Sequence, residues 1–265
     1  MINVELRHRL DLLADEYQQI RYIEHDPIAV PRGFEDPLDI EISGLLAALL
    51  AWGRRATILD KLADLCERMS YRPGDFVRSF SSAEASEKLS GFKHRTFNDA
   101  DAFWLLRNLS LLLNRYGSIE ACFAHHAGTE GSLENAIEGF STELLEIDPD
   151  TPQRLRKHLA RPSTGSACKR LCMFSRWMVR PGPFDFGIWK AFSPSQLVLP
   201  LDVHSGTQAR SVGLLSRKTN DWKAALELTN ICRTFDAADP CKYDFALFGA
   251  GVYGGLEEFA VDGVH

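Results

Sequence analysis

Chemistry in this chain is concentrated in a lysine that follows a bent turn, an aspartate 33 residues later, and an aromatic segment after both. Lys169 lies in RPSTGSACKRLCMF, residues 161–174, where Pro162 and Gly165 force a tight turn and Ser166 is placed to cap a helix starting at Ala167. The exposed amides of such a first turn favour a phosphate. The helix dipole and the adjacent Arg170 both disfavour an ammonium at position 169, and a neutral lysine is a nucleophile able to form a Schiff base. The same position also suits a plain phosphate contact or a solvated side chain. Asp202 closes the apolar stretch in LPLDVHSGTQAR, residues 199–210. It reads as an N-cap, and equally as a rigid carboxylate able to deprotonate an amine or stabilise a cationic sugar. Asp185 is the rival carboxylate between the two. In KYDFALFGAG, residues 242–251, Tyr243, Phe245 and Phe248 are core by default, yet aromatic faces also stack on an extruded base.

The elements that must position these residues read as helices almost throughout. Apolar residues recur at helical spacing, as in Leu105, Leu106, Leu109, Leu112, Leu113 and Tyr116, and again in Leu226, Leu228, Ile231 and Phe235. About ten helices are expected. Residues 39–69 read as two helices broken near Gly53, and residues 99–116 as one helix ended by Gly117. The Ser/Glu-rich stretch 81–90 and the Gly-rich stretch 128–132 read as surface connections. The one extended-looking piece, LVLPL at 197–201, is too short to found a sheet. The expected fold class is all-α, one helical domain over 1–265 that can divide into two lobes around a cleft. The N-terminal helix and the last third would form one lobe and the middle helices the other.

Composition is that of an ordinary globular protein, with 45% hydrophobic and 25% charged residues. The start lacks the uninterrupted apolar core of a signal peptide, and the longest apolar run, LLAALLAW at 45–52, is too short to span a bilayer. The chain therefore reads as cytoplasmic, with no membrane partner and no evident obligate protein partner. Its six cysteines form no CxxC pair and its histidines no helical HxxxH, which argues against an iron-sulfur cluster, zinc or another catalytic metal. Net charge is -6, the wrong sign for holding a polyanion, but its distribution is uneven. Between Asp150 and Asp185 stand Arg154, Arg156, Lys157, Arg161, Lys169, Arg170, Arg176 and Arg180 with no acid among them, a local +8 that leaves -14 elsewhere. That pattern is expected to form one anion-binding face, or else a solvated basic helix face.

The order of these features, a Gly-containing hairpin with a following lysine, then Pro-x-Asp-Val-His, then an aromatic helix, resembles the helix-hairpin-helix DNA glycosylase superfamily, especially its 8-oxoguanine branch. Most of the chain also resembles an uncharacterised bacterial family of unknown function, through PLDIEISGLLAALLAWGRR, GSACKRLCMFSRWMVR, PLDVHSG and KYDFALFG. The first resemblance covers about 162–251 and makes 161–251 the catalytic region. It implies base-excision and strand-cleaving activity on double-stranded DNA carrying a damaged base, an oxidised purine such as 8-oxoguanine, without a cofactor. Lys169 would attack the sugar C1′, and Asp202 would assist its deprotonation and temper the positive charge. Gly165, Ser166, Arg170 and His204 would contact DNA, while Asp244, Phe248 and Met173 would receive the base. The hairpin glycine stands four residues before the lysine, and the segment between lysine and aspartate is longer than in most of the superfamily. The alternatives are a non-catalytic DNA or abasic-site binding module on the same fold, and a hydrolytic nuclease on another helical scaffold.

Overall fold

Helix signals dominate the sequence, and the computed structural model, which describes residues 4–261, is correspondingly helical, with a single two-stranded ribbon among the described residues. The chain divides into two compact units, Ile23–Arg161 and the pair of segments Met1–Tyr22 and Pro162–His265. No helix among the described residues is long and apolar enough to cross a membrane.

The discontinuous unit opens with α1 (Val4–Tyr17), whose Leu6, Leu10 and Leu13 fall on one face and are buried. Ile23–Arg161 contains α2 (Pro37–Leu50), α3 (Arg55–Arg68), α4 (Pro73–Arg78), α5 (Ser82–Leu89), the hairpin β1 (Lys93–His94) and β2 (Phe97–Asn98), α6 (Asp99–Tyr116), α7 (Ile119–Ala127) and α8 (Leu133–Glu146). Helix α2 is apolar all round and almost wholly buried, as a central helix must be. Asp36 caps its N-terminus and Pro37 occupies its first turn. Residues 51–54 break it from α3, as the glycine at 53 led one to expect. Helix α6 spans the expected residues, opened by an Asn98/Asp101 capping box and ended by Gly117 at φ 86°. The Ser/Glu-rich stretch is not a connection but α5. Its Ala85 and Leu89, four residues apart, are buried against the body of this unit, and that apolar pair outweighs the polar composition around it. Residues 128–132 are a turn, as expected.

The second segment of the discontinuous unit supplies α9 (Lys169–Val179), α10 (Val203–Ser211), α11 (Trp222–Phe235) and α12 (Tyr243–Tyr253). Helix α12 packs against both α1 and α10. Its Gly249 permits this approach, since a Cβ there would lie 2.0 Å from the Tyr17 ring. Between α9 and α10 the insert folds back on α9. Phe186 N and Trp189 N donate to the Trp177 and Met178 carbonyls, and Trp189 meets Phe174 edge-on at 5.3 Å. Residues 197–201 are extended and buried but pair with no strand. Side chains of α11 satisfy part of their backbone instead: Leu199 N donates to Thr229 Oγ1 at 3.0 Å, and Arg233 donates to the Ser195 and Leu197 carbonyls.

Candidate active site

Lys169 is the first residue of α9, which starts two positions later than the expected start at Ala167. The helix cannot begin at Ala167 because Cys168 adopts a left-handed backbone, φ 49°, and occupies the N-cap position. Ser166 Oγ still accepts from Cys168 N at 3.1 Å, within the turn rather than in the helix. The turn itself is tight as expected: Gly165 has φ 79° and donates to the Pro162 carbonyl at 2.8 Å. It is tied to the start of α11, where Trp222 N donates to the Gly165 carbonyl and Ser166 bridges to Asp221. The residues before it, Gln153–Lys157, form a 3-10 turn and not a full α-helix.

Asp202 caps α10 through a capping box, accepting from Ser205 N at 2.9 Å and Ser205 Oγ at 3.1 Å on Oδ1, while its own N–H donates to Ser205 Oγ. Its other oxygen, Oδ2, lies 3.2 Å from Lys169 Nζ. The lysine side chain keeps 34% of its exposure and the aspartate 14%, so the pair is set into the surface with the amine end reachable. Burial works against ionisation of Asp202, but the Lys169 ammonium and the bonds from Ser205 outweigh it and hold the carboxyl below the usual carboxylate range. Cap and ion-pair partner are thus the same residue, using different oxygens.

His204 and Phe248 also meet, ring edge to ring face, at 5.7 Å, with His204 exposed and Phe248 half-buried on α12. Met173, one turn beyond Lys169, is half-buried, as is Arg170, whose guanidinium burial lowers its proton affinity. Asp244 is 8% exposed and accepts a short hydrogen bond from Arg176 Nη1. Burial pushes its carboxyl up to about 6, the opposing pull of Arg176 notwithstanding, and the charges of Asp202 and Lys169 reach it as well. The rival Asp185 does not pair with Lys169. It is fully enclosed between Arg176, at 3.3 Å, and Arg180, at 2.7 Å, and Arg180 forks onto Asp239.

These pairings correct the expected basic face. Of the eight cations between 150 and 185, Arg154 is bound by Asp101, Arg161 lies beside Glu138, Lys169 beside Asp202, and Arg176 and Arg180 are inside the buried network. Every one of those acids lies outside the acid-free window apart from Asp185 at its edge, so linear spacing could not reveal the neutralisation. The six cysteines are all buried free thiols, and burial raises those at 66, 122, 172, 232 and 241.

Two positioning residues carry no sequence signal of their own. Asn220 Nδ2 donates to the Asp202 carbonyl at 2.8 Å, and Arg210 Nη2 donates to Asn220 Oδ1. Gly206 leaves room for this, since a Cβ there would sit 2.7 Å from Asn220 Oδ1. The loop at 220–222 therefore grips both the lysine's hairpin and the aspartate's helix. The arrangement brings a primary amine against an ionised carboxylate, beside an exposed imidazole and an aromatic ring, which is a set suited to imine chemistry.

The model of a family described as "Protein of unknown function (DUF2400)" matches residues 26–253. No curated protein matches the chain, and no solved structure does.

Proposed function

This chain belongs to the DUF2400 family, and we propose that it is a DNA base-excision glycosylase with abasic-site lyase activity, acting through Lys169 on an oxidised purine such as 8-oxoguanine. The observation that carries the reading is the 3.2 Å approach of Lys169 Nζ to Asp202 Oδ2. Asp202 accepts a proton from the ammonium, and the freed amine attacks C1′ of an extruded nucleotide. The C1′–N bond breaks, its electron pair leaving with the base, and Asp202 faces the positive charge that develops at the sugar. Loss of a further proton from nitrogen, with ring opening, gives the imine. Abstraction of a C2′ proton then expels the 3′ phosphate by β-elimination, and water releases the lysine. His204 supports the flanking phosphate, and Phe248 and Met173 line the base. Asp244 carries the base edge only through whatever its Arg176 bond leaves available.

A second reading, a binding module without chemistry, is favoured by the full use of the Asp202 oxygens, one in the cap and one in the ion pair. Borohydride trapping on duplexes with 8-oxoguanine or an abasic site separates the two. A covalent adduct from the wild type that is absent from Lys169→Gln, with duplex affinity kept, is the expected result. No adduct on either duplex overturns the enzyme and leaves the module.

A further inference from the structure

Two of the cations left over from the acid-free window, Arg156 and Lys157, are exposed in the unit Ile23–Arg161, and Lys157 leads to a cluster there. Its Nζ donates to the Thr96 carbonyl at 3.1 Å, in the two-residue turn between β1 and β2. Arg95, the other turn residue, is exposed and holds a left-handed backbone at φ 53°, a conformation costly for a long side chain. Its guanidinium lies over Gly53, where a Cβ would meet Nη1 at 3.0 Å. Gly53 leads directly into Arg54 and Arg55, both exposed at the start of α3.

Chain neighbours of these cations, Trp52 beside Gly53 and His158 beside Lys157, belong to one aromatic cluster. Trp52 stacks on His158 at 5.9 Å and meets the His94 ring edge-on at 4.8 Å, and His94 Nε2 is bonded to the Trp52 carbonyl at 3.1 Å. Phe97 closes the far side of His158 at 4.9 Å. Asp60 and Glu67 are exposed farther along α3, and three other carboxylates on the same elements are turned to other work. Asp64 is held by Lys61 and Arg68, Asp99 accepts from Gly91 N and Ala100 N, and Asp101 is buried under Arg154. No ion pair is formed by Arg54, Lys93, Arg95, Arg156 or Lys157 among the described residues. The start of α3 carries no acidic residue in its first turn and no side-chain cap, so its amides add to the same positive field.

We infer that this rigid basic surface, built from Arg54, Arg95 and Lys157 around Trp52, is a binding site for the phosphodiester backbone of a nucleic acid. In a chain of net charge -6, cations gathered on one surface without carboxylate partners are suited to meet a polyanion. A cluster of exposed cations suits the phosphate backbone, which takes half or more of protein–DNA hydrogen bonds. The site is built wholly from residues of Ile23–Arg161 and needs none of the Lys169 chemistry, so the inference and the glycosylase reading fail separately.

The test is the affinity of the full chain for undamaged duplex DNA, single-stranded DNA and duplex RNA of one sequence, measured across a salt series. The variants are Arg54→Gln/Arg95→Gln and, with the same change in net charge, Arg72→Gln/Arg78→Gln at the two ends of α4. All four side chains are exposed, and circular dichroism checks that each variant is folded. The first pair should lower the slope of log affinity against log salt on duplex DNA by about 1.8, two phosphate contacts' worth, and the control should leave it unchanged. Loss confined to RNA would keep the site and name RNA as its source of phosphodiesters. Equal effects of the two pairs, or no binding to any of the three polynucleotides, would overturn it. Borohydride trapping of the same variants reads the lysine chemistry independently.

Discussion

At the scale of single residues, Asp202 holds two jobs that can be separated by substitution. Serine is nearly as good an N-cap as aspartate but cannot take a proton from an ammonium. Asp202→Ser should therefore unfold within a few tenths of a kcal/mol of the wild type, whereas Asp202→Ala loses about 1 kcal/mol with the cap. Both should slow the single-turnover nicking rate by on the order of 100-fold or more, the worth of a positioned general base. Urea melts beside single-turnover assays check this, and a Ser variant of undiminished rate would reduce Asp202 to a cap. Asp244 makes a prediction of opposite kind. Its carboxyl is raised to about 6 by burial, so the fold favours the protonated form. That contribution to stability is complete below the unfolded value of about 4 and is lost as pH rises through about 6. The stability of the wild type minus that of Asp244→Asn should accordingly fall by on the order of 1–3 kcal/mol between pH 4 and 6 and stay level above. A difference that rises over that window would mean the Arg176 pairing outweighs burial.

At the scale of elements, the site is held by parts that meet only in three dimensions. Lys169 comes from a bent turn and Asp202 from a helix start, and both features were legible: Pro162 and Gly165 announce the turn, and the Asp before Val203 announces the cap. The order of lysine, aspartate and aromatic helix was legible too, as were the boundaries set by Asn98 and Gly117 for α6, whereas the Asp36 cap that starts α2 at Pro37 was not. What could not be read was partnership. Nothing in the spacing of Arg176 and Arg180 tells that they turn inward onto Asp185, Asp239 and Asp244, because helical periodicity marks charged positions as solvent-facing by default. The left-handed Cys168 was equally hidden, since cysteine carries no preference for that conformation. Nor does Asn220 announce itself, an ordinary loop residue whose amide holds the Asp202 backbone. Replacing it with alanine removes that bond and the acceptor for Arg210. Asn220→Ala should slow nicking by up to about 100-fold through misplacement of the carboxylate, while a phosphate-backbone affinity measured on undamaged duplex stays within twofold. Unchanged single-turnover kinetics would show that the cap alone orients Asp202.

At the scale of the whole molecule, one unit is a continuous stretch and the other is assembled from two ends of the chain. Ile23–Arg161 encloses its own apolar core, with Leu45, Leu46 and Leu49 of α2, Leu105, Leu109 and Leu112 of α6, and Phe123 and Phe140 of α7 and α8 all buried. Residues 23–161 expressed alone should show a helical spectrum and one cooperative thermal transition. A broad, non-cooperative melt would mean that this core depends on the rest of the chain. The other unit has no such independence in order of sequence, because α1 packs on α12. During synthesis at about 5–20 residues per second, the apolar face of α1 leaves the ribosome roughly 10–45 s before the helix that covers it. In that interval Leu6, Leu10 and Leu13 have no permanent cover, and the chain is open to capture by chaperones or to pairing with another copy's α12, a domain swap written into the order of its segments.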